Sequence, residues 1–193
     1  MKRYFILVVS FVLLCGGGYF VFQFAKIEIK ARVAQVLLQH TWHKTLMTGQ
    51  YQRPWKSFDG APILRLVIPD FDIDQIVLAG TSGQALAFGP AFHQESVLPG
   101  LGGTIILSSH RDSHGLYIKH LQKNNIIELQ DRSQKWHSFR VEDFSIVDVT
   151  TNNTLPFNHE ETLLLITCYP FDALTSDTPL RYIVKATRVE HKT

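Results

Sequence analysis

The chain reads as a mainly β domain, an antiparallel sandwich or closed barrel of short strands, held behind an apolar N-terminal helix. Two observations carry this. From Ile63 onward, β-branched and apolar runs of about five residues alternate with Gly and Pro. Before them, Tyr4 to Ala25 holds no charged residue and is long enough to span a bilayer.

The N-terminal run is read as an uncleaved anchor, residues 1–25. A signal-peptidase cut after Ala25 would need a small residue at Gln23, and Leu14 is too large to precede a lipid-modified Cys15. Lys2 and Arg3 flank one side and Lys26, Lys30 and Arg32 the other, so charge does not set the orientation. The short tail before the run favours N-inside, which places the remainder outside the cytoplasm. Residues 26–53 are a juxtamembrane helix and linker. Ile29, Val33, Val36 and Leu37 share one helical face, to lie on the domain or on the membrane surface. Trp42 suits either an interface or packing, and Trp55 pins the linker.

Residues 54–193 suffice for one domain with a real core. Expected strands are Ile63–Ile68, Asp72–Leu78, Thr104–Ser108, Ile126–Leu129, Trp136–Val141, Phe144–Val149, Leu163–Thr167 and Leu180–Ala186, with a helical turn at Leu116–Gln122. The net charge of +2 gives no argument for nucleic acid. The two cysteines, Cys15 and Cys168, lie too differently to pair.

Cys168 is the candidate nucleophile. Thr162 to Thr167 reads as a buried strand and Pro170 ends it, so the thiol stands where a rigid strand opens into a loop. A free thiol near pKa 8.5 is only a few per cent thiolate at neutral pH and needs an imidazole and a fixed cation beside it. His110 follows the strand Thr104–Ser108 and Arg181 opens the strand after the cysteine loop, so both stand in matching contexts. Several of the nine histidines also lie near strand ends, which leaves His110 one choice among others.

These motifs resemble the sortases, membrane-anchored cysteine transpeptidases. The resemblance rests on Thr-Leu-Leu-Leu-Ile-Thr-Cys ending at Cys168, Leu-Arg-Tyr-Ile-Val from Leu180, and Ile-Ile-Leu-Ser-Ser-His-Arg-Asp around His110. Leu-Ala-Phe-Gly-Pro at Leu86–Pro90 and Leu-Pro-Gly at Leu98–Gly100 add to it. The runs Thr-Cys-Tyr-Pro-Phe-Asp-Ala and His-Arg-Asp-Ser-His most resemble the Gram-negative, marine proteobacterial branch. The resemblance implies an eight-stranded barrel with Cys168 as nucleophile, His110 as acid and base, and Arg181 as cation. Thr167 would shape the site. It also implies a substrate protein with a C-terminal Leu-Pro-x-Thr-Gly-like signal, an acceptor amine, no cofactor, and an inner-membrane protein with its barrel in the periplasm. Ser108-Ser109 stand where the family usually has a small residue and glycine, and Gly103-Thr104 where many members have Gly-Asn. No acidic cluster commits to the calcium site of some members.

Other readings stand beside these. A membrane-tethered barrel that binds a partner's tail without chemistry is one; a hydrolase passing the acyl group to water is another. His110 and His114 have a metal-pair spacing but no evident third ligand. His159-Glu160-Glu161 lacks the second histidine of a zinc protease. Ser113-His114-Gly115 is similar to the active-site run of the peptidoglycan cross-linking cysteine transpeptidases, but Leu116 stands where they need cysteine. Asp112 steadies the site or caps a loop. His93, His120 and His137 read as surface or packing residues. Tyr169, Phe171 and Trp136 line a groove or fill core.

Overall fold

The computed structural model describes residues 2–151, 160–173, 175 and 178–189, without the side chains of 5–10, 12, 24–28 and 30–32. The chain falls into two compact units, Met1–Leu37 and Leu38–Thr193.

One helix, α1 (Lys2–Thr48), runs through the stretch read as anchor and juxtamembrane helix. Among the described residues no helix is long and apolar enough to cross a membrane. Much of the apolar run is among the side chains outside the description. Ile29, Val33, Val36 and Leu37, the residues read as one apolar face, have exposed side chains within the first unit. In the second unit, Leu38 and Trp42 of α1 are buried in a cluster with Phe58, Ile76, Leu78 and Ala85. Trp55 closes that cluster, its ring 4.5 Å from Phe58 and 5.3 Å from Phe88.

Eight strands close into a barrel in the order β1-β2-β3-β4-β7-β8-β6-β5. They are β1 (Pro62–Ile68), β2 (Ile73–Ala79), β3 (Ala91–Phe92), β4 (Thr104–Ser108), β5 (Ile126–Gln130), β6 (Trp136–Asp148), β7 (Thr162–Tyr169) and β8 (Leu180–Val189). The eight-stranded barrel expected from the resemblance is therefore present, with three corrections, the first being that it is not all antiparallel, since β2–β3 and β4–β7 run parallel. Trp136–Val141 and Phe144–Val149 are one strand, because Glu142-Asp143 is absorbed as a bulge against β8 and not as a turn. A short helix, α2 (Gly83–Phe88), and the two-residue β3 were not foreseen. Ser82 caps α2, its hydroxyl accepting from the Ala85 amide at 3.1 Å. A 3-10 turn at Leu116–His120 matches the expected helical turn.

Side chains alternate across the barrel wall. Leu163 and Leu165 of β7, Ile105 and Leu107 of β4, and Val184 and Ala186 of β8 fill the interior. Leu164 and Ile166, with Ile106 and Ile183, form a separate buried cluster on the other face. That second cluster is the floor on which the candidate site stands.

Candidate active site

Cys168 continues the face of Leu164 and Ile166, and is partly exposed. Strand register supplies its neighbours. β7 and β8 are antiparallel with Cys168 directly opposite Arg181. β4 and β7 are parallel with Ser108 opposite Ile166. His110 and Cys168 each lie two residues beyond that paired position, so both leave the barrel at the same level. Cys168, His110, Arg181 and Thr167 all line one pocket of about 310 Å³. Its other walls are Thr81, Leu86, His93, Ser108, Ser109 and Ile166. A second pocket of about 430 Å³ shares Cys168 and His110 and is completed by Arg111, Asp112 and Ser113. The two hollows meet at Cys168 and His110 and are taken together as the groove.

The supports of these groups are built from the main chain. The buried Thr167 hydroxyl donates to the Ser109 carbonyl at 2.8 Å, and the Ser109 amide to the Ile166 carbonyl at 3.0 Å. The His110 carbonyl accepts from the Gly115 amide at 2.8 Å. A side chain at Gly115 would bring its Cβ within 2.8 Å of that carbonyl and 2.9 Å of Ser109 Cβ, so only glycine lets the loop fold this tightly. Arg181 Nη1 donates to the Thr178 carbonyl at 2.5 Å and the Leu180 carbonyl at 3.0 Å. Those bonds brace the guanidinium beside the thiol. It can do electrostatically what the pairing requires: a fixed cation facing a nucleophile, with an imidazole on the adjoining strand end.

Three residues of this region escaped the sequence reading. His93 is not a surface or packing residue: it lines the groove, its Nε2 2.7 Å from Ser108 Oγ, and burial holds its pKa below the usual histidine value against the opposing pull of Glu95. It directly follows β3, two residues after Ala91, which pairs with Ser108, so a strand too short to read from the sequence sets its place. Leu86 of α2 forms an apolar wall. Arg111 is buried behind His110. His114 turns from the groove toward α2. Burial lowers its pKa most, a hydrogen bond to the Ala87 carbonyl opposes this, and the charge of His110 adds to it.

The remaining candidates are sorted by their surroundings. His137 is a packing residue, 2.8 Å from Asp131 Oδ2 in the β5–β6 hairpin. His120 is exposed. Trp136 lies under Arg65, away from the groove. Tyr169 stacks on Tyr182 and Phe171 meets both edge-on, while Tyr182 also stacks with Phe144. His159 lies outside the described residues, while Glu161 serves the fold, accepting from the Gly100 amide at 2.8 Å. Among the described residues no group of three or more His, Cys, Asp or Glu side chains could hold a metal ion.

Barrel and groove together define a class: a closed β-barrel domain with a cysteine, a histidine and an arginine at adjoining strand ends. The Sortase domain matches residues 66–189. Sortase D of Bacillus subtilis (strain 168) is 31% identical over 125 residues, 64% of this chain. The match spans 62% of that relative's length. A Clostridium perfringens sortase D5 transpeptidase superposes with a TM-score of 0.63 at 15% identity, over 82% of this chain and 98% of that one. Sortase A of Listeria monocytogenes gives a TM-score of 0.57 at 21% identity, over 67% of this chain and 88% of that one. The chain belongs to the sortase family.

Proposed function

We propose that this protein is a membrane-anchored cysteine transpeptidase. Cys168 attacks the carbonyl carbon of a Leu-Pro-x-Thr-Gly-like signal between Thr and Gly. His110 gives a proton to the leaving amine as the C–N bond breaks, leaving a thioester on Cys168. An incoming amine then attacks that carbonyl, loses a proton to His110, and expels the thiolate as the new amide forms. Neither half is a redox step, so no electron carrier is needed. Arg181 meets the negative charge that develops on the carbonyl oxygen, and Thr167 holds the loop that carries His110. The observation that carries this reading is the Cys168–Arg181 pairing on one groove with His110. Family membership supports the kind of substrate, a protein bearing a sorting signal.

The uncharged run Tyr4 to Ala25 supports a membrane anchor, and the likeness of the site motifs to the Gram-negative branch favours a barrel in the periplasm. Release of the full chain from membranes by salt or carbonate alone would remove the anchor.

Intact mass spectrometry after incubation with a Leu-Pro-x-Thr-Gly peptide library tests the chemistry. The expected result is a thioacyl adduct on wild type and none on Cys168→Ala. Arg181→Ala should slow adduct formation by about 10²-fold or more, as loss of an oxyanion donor does. Wild-type rates in Arg181→Ala would sink its charge role, and full activity in His110→Ala would move the proton role elsewhere. A folded protein that neither cleaves nor forms an adduct would leave a binding module.

A further inference from the structure

Arg111 is the one lysine or arginine that is buried among the described residues, at 6% exposure. A cation in that position needs strong partners. Its partners are main-chain carbonyls: Nη1 donates to Pro170 at 2.9 Å, and Nη2 to Ala173 at 2.7 Å and to Thr175. These lie 59, 62 and 64 residues along the chain. All three belong to the segment that leaves β7 immediately after Cys168. Arg111 itself follows His110. One side chain thus ties the loop carrying the imidazole to the loop leaving the thiol. A guanidinium suits the task, because its planar fork spreads five donors over several acceptors, while a lysine ammonium is a single point.

The tie has a location as well as a strength. Arg111 lines the larger hollow, with His110, Asp112, Ser113 and Cys168. Arg181 lines the other one. Cys168 and His110 line both; with Arg181 meeting the acyl oxygen, as in the reading above, that oxygen faces the smaller hollow and the larger one is left for the acceptor amine.

Resting on the transpeptidase reading above, we propose that Arg111 is a positioning residue for the second half-reaction. By fixing the carbonyls of Pro170, Ala173 and Thr175, it shapes the wall past which the acceptor amine reaches the thioester. It touches neither the acyl carbon nor the amine.

The test separates the two half-reactions in the full chain, comparing wild type, Arg111→Lys and Arg111→Gln. Thioacyl formation with a Leu-Pro-x-Thr-Gly peptide is followed first. Resolution is then followed against triglycine concentration, with hydrolysis measured alongside. The expected result is acylation within about threefold of wild type, an apparent KM for triglycine raised tenfold or more in Arg111→Gln, a smaller rise in Arg111→Lys, and a larger hydrolysed share. Unchanged triglycine KM, or an equal fall in both half-reactions, overturns the proposal. A second measurement needs no variant: nitrogen-detected exchange of the Arg111 guanidinium protons in wild type. Slow exchange supports the tie, and exchange as fast as a free arginine overturns it. Failure of wild type to acylate would overturn the transpeptidase reading itself, and this proposal with it. Normal acylation with an unmoved triglycine KM would overturn this one alone.

Discussion

On the proposed reading, single residues around Cys168 either present chemistry or hold the presenter still. Thr167 belongs to the second kind. Its hydroxyl is inside the wall and satisfies the Ser109 carbonyl across 58 residues of chain. Thr167→Val keeps the shape and removes the donor, leaving a buried carbonyl unpaired at a cost of about 1–3 kcal/mol. Because that carbonyl precedes His110, the loss should fall on kcat more than on the KM for the sorting peptide. Thr167→Ser should restore both. A kcat equal to wild type in Thr167→Val, measured by peptide cleavage, would assign the hydroxyl to stability alone. Cys168 and Arg181 could be picked out from their strand-end positions, whereas His110 shared that position with other histidines and was singled out by the family resemblance; the structure brings the three to one groove. Arg111 and His93 were not. Their roles depend on segments brought together by register, and no local window contains Pro170, Ala173 and Thr175 beside Arg111.

At the scale of elements, the long strands were legible because apolar and β-branched runs end at Gly or Pro. α2 and β3 were too short to leave a periodic signal, although Ser82 before Gly-Gln-Ala-Leu was a usable cap. α2 matters more than its length suggests. One side, through Ala85 and Phe88, closes the cluster around Trp42, and the other carries Leu86 into the groove. His114 bonds α2 at the Ala87 carbonyl and His93 lies against Ser108, and burial lowers the pKa of each. The sign follows from linkage. The folded state binds these protons more weakly than the unfolded chain, so stability is full above the ordinary histidine value of about 6.5 and falls as pH drops through it toward the folded values. The facing groups are His110 for His114 and Glu95 for His93, and they act in opposite senses. Thermal unfolding should therefore show Tm falling between pH 7.5 and 5.5. His93→Gln combined with His114→Gln, which keeps amide donors without the titration, should flatten that slope. An equal slope in the double variant would place the pH dependence elsewhere.

For the whole molecule, the boundary drawn from composition alone, at Pro54, cuts through a packed unit. Pro and Gly between Thr48 and Pro62 read as a linker, yet the compact unit begins at Leu38. Leu38 is fully buried and Trp42 is 3% exposed, both within the cluster that covers Ile76 and Leu78 of β2. The same helix is exposed at Val33, Val36 and Leu37. The buried Leu38, Thr41, Trp42 and Thr45 recur at helical spacing on a face other than that of Ile29, Val33, Val36 and Leu37, and polar threonines on it hid it from a search for apolar stripes. A chain starting at Pro54 loses Leu38 and Trp42 and uncovers Phe58. At about 1.5–3 kcal/mol for each large apolar side chain buried, and about 2–4 °C per kcal/mol in a domain of this size, Tm should fall by on the order of 10 °C. A chain starting a turn or so before Leu38 should keep the Tm of the barrel. The cluster's far side is α2, so the shorter chain should also lose grip on the wall that carries Leu86. Its KM for the sorting peptide should rise while the alkylation rate of Cys168 stays unchanged. Equal Tm and equal KM for the two truncations, measured side by side, would mean that the last turns of α1 only rest on the barrel. A selective rise in KM would make them part of the substrate groove's foundation.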